Sequence, residues 1–193
     1  PSLGEQMTVV STDANDTSAG TGTRILGINY LDGDGNEQDE NVTMNGTTPV
    51  NTVATDIRFV QSLHSMTVGS GGVSGGDISI YKIGNSSTVY SMIAAGGNMS
   101  LATNRMVPAG KTLYLKKWYA TEAKDKRAAF RIRSTDYLGV LHPGIFLFKG
   151  STFLRISASG DLDVLDVIPA YSIVKISGWA IAAGADASAS WWG

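Results

Sequence analysis

Three constellations in this chain have residue types that could do chemistry, and the first is Gly72-Val73-Ser74-Gly75-Gly76. Its G-x-S-x-G spacing matches a nucleophile elbow, in which a strand delivers an exposed Ser and a helix follows. A β-type run follows here instead, and only His64 and His142 could serve as bases, so a flexible loop is expected rather than an esterase triad. A phosphate cradle fails too, because the sixth position counted from Gly69 is Ser74 and no helix start comes after it. The second constellation is Asp32, Asp34 and Asn36, with Glu37, Asp39 and Glu40 beyond, a cluster of the oxygen donors a hard cation requires. An EF-hand loop needs Gly at its sixth position and Glu at its twelfth; Glu37 and Thr43 stand there, so the segment reads as an acidic hairpin tip. The two histidines have no metal-ligand spacing and there is no Cys, so neither metal nor cofactor is expected. Asp161, Asp163 and Asp166 are a carboxylate set that only folding could assemble.

The third constellation is the window 106–133. It carries eight cations (Lys111, Lys116, Lys117, Lys124, Lys126, Arg127, Arg131 and Arg133) against Glu122 and Asp125, which is net +6 in a chain of net −2. Tyr114, Trp118, Tyr119 and Phe130 are interleaved, the mixture with which a surface binds phosphate and stacks bases. A dedicated nucleic-acid binder is normally basic overall, and this chain is acidic, so no nucleic acid is expected. An acidic patch such as Glu37, Asp39 and Glu40 on an adjacent copy suits the window better.

The elements that must position these residues are strands. At 193 residues, 42% hydrophobic and 17% charged, the chain can bury a substantial core without disulfides. Period-2 runs recur about every ten residues between Gly, Asn, Asp and Pro, which predicts an all-β, antiparallel β-sandwich, jelly-roll-like and with long Gly-rich loops. Strands are predicted over 7–11, 24–31, 37–44 and 57–68, the last with Val60, Met66 and Val68 in phase. A hairpin across Gly84-Asn85-Ser86-Ser87 follows, then strands over 145–149, 152–158 and 172–182. The polar run 37–44 belongs at a sheet edge, and 172–182, nearly apolar on both faces, belongs centrally. Asn45-Gly46 is the strongest short hairpin signal. Residues 111–119 and 128–133 read as two strands of one hairpin. The whole, 1–193, reads as one all-β unit, alternatively as halves 1–106 and 107–193. Residues 183–193 form a flexible tail whose Trp191 and Trp192 dock on a neighbour or fold back on this chain. No apolar run reaches the length of a membrane span, and no membrane association is expected.

Several phrases occur together in order: Ser18-Ala19-Gly20-Thr21-Gly22-Thr23-Arg24, Tyr30-Leu31-Asp32 with Asn36-Glu37, Val42-Thr43-Met44-Asn45-Gly46-Thr47-Thr48-Pro49-Val50, Val68-Gly69-Ser70-Gly71-Gly72 with Gly76-Asp77-Ile78, and Val107-Pro108-Ala109-Gly110-Lys111-Thr112. In these the chain resembles a family of all-β virion structural proteins of tailed, often marine, bacteriophages. The resemblance covers 7–119 well and the remainder loosely. It implies a virion component that is not an enzyme and transfers no catalytic residue. With the acidic edge strand 37–44, the basic window 111–133 and the terminal Trp191-Trp192 read as subunit contacts, the role expected is a capsid decoration or cement subunit on the outer surface of the head. Such a subunit would be a homotrimer and would contact the major capsid protein or other virion proteins. Its candidate contact residues are Glu37, Asp39, Glu40, Lys116, Lys117, Trp118, Arg131, Arg133, Trp191 and Trp192. The alternative is a tail or head-fibre module that binds host-surface glycan on Trp118 and Tyr119.

Overall fold

The structure is a computed structural model that describes residues 4–122, 124, 126–135, 145–154, 159–181, 183 and 187–192, with backbone alone at 159–165, 187 and 192. It has the all-β, antiparallel, sandwich-like architecture that the alternating runs imply. The chain divides into two compact units, Pro1–Ala102 and Thr103–Gly193. No helix among the described residues is long and apolar enough to cross a membrane.

Unit 1 holds β1 (Met7–Ser11), β2 (Thr23–Leu31), β3 (Glu37–Thr43), β4 (Val50–Asn51), β5 (Phe59–Val68), β6 (Ile78–Lys82) and β7 (Asn85–Ile93). Its sheets run β4-β1-β6-β7 and β3-β2-β5. Met7 and Val9, Leu26 and Ile28, and Ile78 and Ile80 each stand two apart on a strand, so each pair leaves on one side and the sides meet in a single core with Val42, Leu63 and Ile93. Each such side chain removed from water contributes about 1.5–3 kcal/mol. The acidic β3 is an edge strand, as its composition requires. In β5 the expected phase breaks: Ser62 pairs with Asn29 but Val60 with Tyr30, which leaves Gln61 as an extra residue. That bulge turns both Val60 and Leu63 inward and leaves Met66 exposed.

Asn45-Gly46 does not close a hairpin. β3 pairs with β2 whereas β4 pairs with β1, so this turn carries the chain from one sheet to the other. Turn chemistry specifies a local bend, which a crossing between sheets can use as well as a hairpin.

Unit 2 holds β8 (Asn104–Met106), β9 (Leu113–Glu122), β10 (Ala128–Ser134), β11 (Leu147–Leu154), β12 (Ser159–Ile168), β13 (Ile173–Ala180) and β14 (Ala187–Trp192). Its sheets run β11-β10-β13-β8 and β12-β9-β14; β13 is internal as expected, but only its Val174 and Ile176 side is buried, and the Lys175, Ser177 and Trp179 side faces outward. β8 pairs with β13, so it belongs to this unit although it precedes a division after residue 106. The core joins Leu115, Trp118 and Ala120 of β9 to Ala128, Phe130 and Ile132 of β10 and to Ile168, Val174 and Ile176.

Three expectations are overturned in this unit. β9 and β10 are not a hairpin: β12 and β14 flank β9, β11 and β13 flank β10, and neither has an edge left for the other. The link between them is a corner in which the buried Glu122 carboxylate accepts the N–H groups of Lys124 and Lys126 at 2.9 and 2.8 Å. Residues 187–192 are a strand rather than part of a loose tail, because β9 offers its second edge to them. Residues 147–154 form one strand where two were expected, with a register shift opposite Ile132 and Arg133.

Candidate interaction surface

Ser74 is no exposed nucleophile. It is buried, and its hydroxyl donates to the Ala94 carbonyl at 3.2 Å. The glycines around it serve Asp16, a fully buried carboxylate that accepts the Ser11 hydroxyl at 2.5 Å and the N–H groups of Thr23, Gly75 and Gly76 at 2.6, 2.9 and 3.0 Å. A Cβ on Gly22 would stand 2.1 Å from Asp16 Oδ1, and one on Gly76 would stand 2.6 Å from the Asp13 nitrogen. Close approach explains both, to the buried anion at Gly22 and to the Asp13 backbone at Gly76. Burial pushes the Asp16 pKa up, but the Ser11 hydrogen bond and the three backbone donors outweigh it and hold the group below its ordinary value.

The acidic tip is likewise occupied by its own backbone. Asp32 accepts the N–H groups of Asp34 and Asn36 at 3.0 and 2.9 Å and the Gln38 amide at 3.1 Å, while Gly35 adopts φ 84°. His64 Nε2 lies 3.0 Å from Met66 Sδ; His142 lies outside the described residues. Among the described residues no three His, Cys, Asp or Glu side chains gather in a manner that would hold a metal ion. Asp161 and Asp163 sit on β12 with side chains outside the described residues, and Asp166 forms an ion pair with Lys149 at 2.7 Å.

On the β3 edge, Glu37 and Asp39 are exposed. Glu40 turns back and accepts the N–H groups of Val53 and Ala54 at 2.7 and 3.0 Å. Behind this edge the Tyr30 phenol is shifted upward, first by burial and then by the negative field of Glu40, Asp56, Asp32 and Asp39.

Trp118, the expected stacking platform, is only 1% exposed. Leu115 and Trp118 both face inward, so the buried side of β9 switches between them, next to a register shift between Asp163 and Asp166 of β12. Tyr119 is half-buried, and Lys116 is exposed. Lys117 is half-buried opposite Asp163, so β9 has an acidic strand beside it in its own unit. Trp191 folds back: its ring packs against the unit 2 core, and its Nε1 donates to the Thr103 carbonyl at 3.1 Å. Trp192 pairs with Lys117 through the backbone, and its side chain lies outside the described residues.

Arg131 and Arg133 instead mark a surface. Antiparallel register sets Phe153, Ala129 and Trp179 in one row across β11, β10 and β13; Ser151, Arg131 and Ser177 in the next; and Phe148, Arg133 and Lys175 in a third. Residues directly opposite share a face, so these rows form the outer side of the sheet whose inner side holds Phe130 and Ile132. Phe153 is 68% exposed, Phe148 62% and Trp179 39%. Arg131 lies 4.6 Å from the Trp179 ring centroid, and Lys175 and Arg133 lie 3.9 and 5.7 Å from that of Phe146. The Arg133 guanidinium also donates to Ser177 Oγ at 3.0 Å. Burial, and then the neighbouring Arg133 charge, lower the Lys175 pKa. The three rows hold three cations and no carboxylate. Lys175, Phe148, Phe153 and Trp179 were not among the expected contact residues. The available signal was the series Ile173, Lys175, Ser177, Trp179, an amphipathic side of β13 rather than a buried one.

Charge divides between the units. Unit 1 carries ten carboxylates and three Lys or Arg, net −7, while unit 2 carries seven and twelve, net +5. Comparison with known protein families, with curated proteins and with solved structures finds no match to this chain.

Proposed function

We propose that the chain is a structural component of a bacteriophage virion, a capsid decoration or cement subunit that holds neighbouring shell proteins by surface contact. The observation that carries this reading is the outer face of β11-β10-β13. Large aromatic side chains lie open to water there among cations, the mixture of exposed rings and Arg that marks an assembly surface. The resemblance of the ordered sequence phrases to those of phage virion proteins supports the same reading. Purified chain, mixed with undecorated shells of the phage that encodes it, is expected to sediment with them at a fixed ratio to shell protein. Phe153→Ser with Phe148→Ser should abolish this. A chain that remains in the supernatant at micromolar concentration would refute the role.

A second reading, a fibre module for host-surface glycan, draws support from the same rings, because exposed Trp179 and Phe153 offer stacking faces to sugars and Trp118 does not. Saturable glycan binding that Trp179→Ala removes would favour it over the shell role.

A further inference from the structure

We propose that the aromatic and cationic face of unit 2 docks onto the acidic β3 edge of unit 1 in a second copy of this chain, head to tail. This rests on the reading of the chain as an assembling structural protein: the face that carries that reading is taken by a second copy, the shell is met by the oligomer so formed, and Phe148→Ser with Phe153→Ser loses shell binding by dispersing that oligomer. Three observations converge on that occupant. The face gathers Phe148, Phe153 and Trp179, each more than a third exposed, around Arg131, Arg133 and Lys175. The complementary charge is present on the same polypeptide, since unit 1 is net −7 and its edge strand β3 exposes Glu37 and Asp39. Symmetry then selects the mode of contact. A two-fold contact of the face with itself would set three cations against three, a like-charge juxtaposition that costs affinity, and so would an acidic edge against its twin. A contact of unit 2 with unit 1 opposes unlike charges at every junction. It is heterologous, and such a contact closes into a ring when its rotation permits. The rings supply the apolar centre and the ion pairs the register.

The test is the solution mass of the full chain, measured by sedimentation equilibrium across concentration at low and at high salt. The wild type is expected to form a closed oligomer that weakens as salt rises, because its rim contacts are charged. Arg131→Glu and Asp39→Lys, both at exposed positions, should each raise the dissociation constant about tenfold or more. The double variant R131E/D39K should recover most of that loss, because its junctions again oppose unlike charges. If the face met itself, R131E would act and D39K would not; if the chain were monomeric at all concentrations, no copy would occupy the face. Either result overturns the proposal. Shell binding separates this failure from that of the role itself. A monomer that still sediments with shells sinks the copy-to-copy contact alone, whereas an oligomer that ignores shells sinks the capsid role alone.

Discussion

Replacing Asp16 by Asn should destabilise unit 1 far more than an ordinary loop substitution, and the size can be worked from its partners. Oδ1 accepts Thr23 and Gly75 N–H groups, and Oδ2 accepts the Ser11 hydroxyl and the Gly76 N–H; the carboxylate itself is buried, as are all of these bonds but that of the exposed Gly75. An Asn keeps one acceptor and turns an NH2 group toward the other pair. Ser11 can reverse its hydroxyl, but the Gly76 N–H cannot, so one buried donor faces a donor at a cost of about 1–3 kcal/mol. The remaining bonds lose the assistance of charge, roughly another 1–2 kcal/mol together. A total of about 2–5 kcal/mol is a large share of a typical domain's stability, about 5–15 kcal/mol. The assay is urea unfolding of wild type and D16N between pH 7 and pH 2.5. Because the folded carboxylate titrates below its ordinary value, its stabilisation is full above about pH 4 and is lost as pH falls through the folded pKa. The gap between the two proteins should therefore narrow below about pH 4. A D16N chain within about 0.5 kcal/mol of wild type at pH 7, or a gap that does not change with pH, would refute the reasoning.

Other expected outcomes follow from single contacts. Trp118→Ala empties the centre of the unit 2 core and should cost about 3–5 kcal/mol in denaturant unfolding, so any binding it abolishes would be lost through folding rather than through a stacking site. Gly69→Ala should destabilise more than Gly27→Ala by thermal melting, since its Cβ would stand 2.2 Å from the Gly20 carbonyl oxygen, whereas that of Gly27 meets side-chain atoms alone, the His64 ring and Met66 Cγ. The Tyr90 phenol donates to Glu5, and burial together with that bond and charge pushes its pKa up to about 12. The unfolded chain gives up this proton near pH 10 while the folded chain holds it, so stability should fall between pH 10 and 12. Spectrophotometric titration should show a late tyrosinate that Tyr90→Phe removes.

How far the fold was legible depended on what each signal specifies. Alternation in Met7-Thr8-Val9 or Leu26-Gly27-Ile28 names the buried side without any knowledge of the partner, and β1 and β2 lie as it requires. The charged run of β3 could survive only at an edge, and it is there. Pairing is a different matter. The loop after β9 has the composition of a hairpin turn, and only the occupation of both edges of β9 and both edges of β10 makes it a corner. Small residues at 187–190 have little strand preference of their own; the free edge of β9 imposes it. Trp118 was misplaced because the inward side of β9 switches within the strand, which a strict period of two cannot represent. Asp16 was invisible as a hub, since an Asp among Ser, Thr and Gly looks the same whether it faces water or four donors. Of the contact surface, Arg131, Arg133 and the Trp179 side of β13 were present in the sequence as separate marks. Register alone assembles them with Phe148 and Phe153.

The central claim, that this chain reinforces a capsid, is tested most directly by the temperature at which undecorated phage shells rupture, followed by light scattering with and without saturating protein. The account predicts that bound protein raises the rupture temperature by several degrees, and that a Phe148→Ser/Phe153→Ser variant leaves it where it was. Saturating occupancy of the shell with no change in rupture temperature would contradict it.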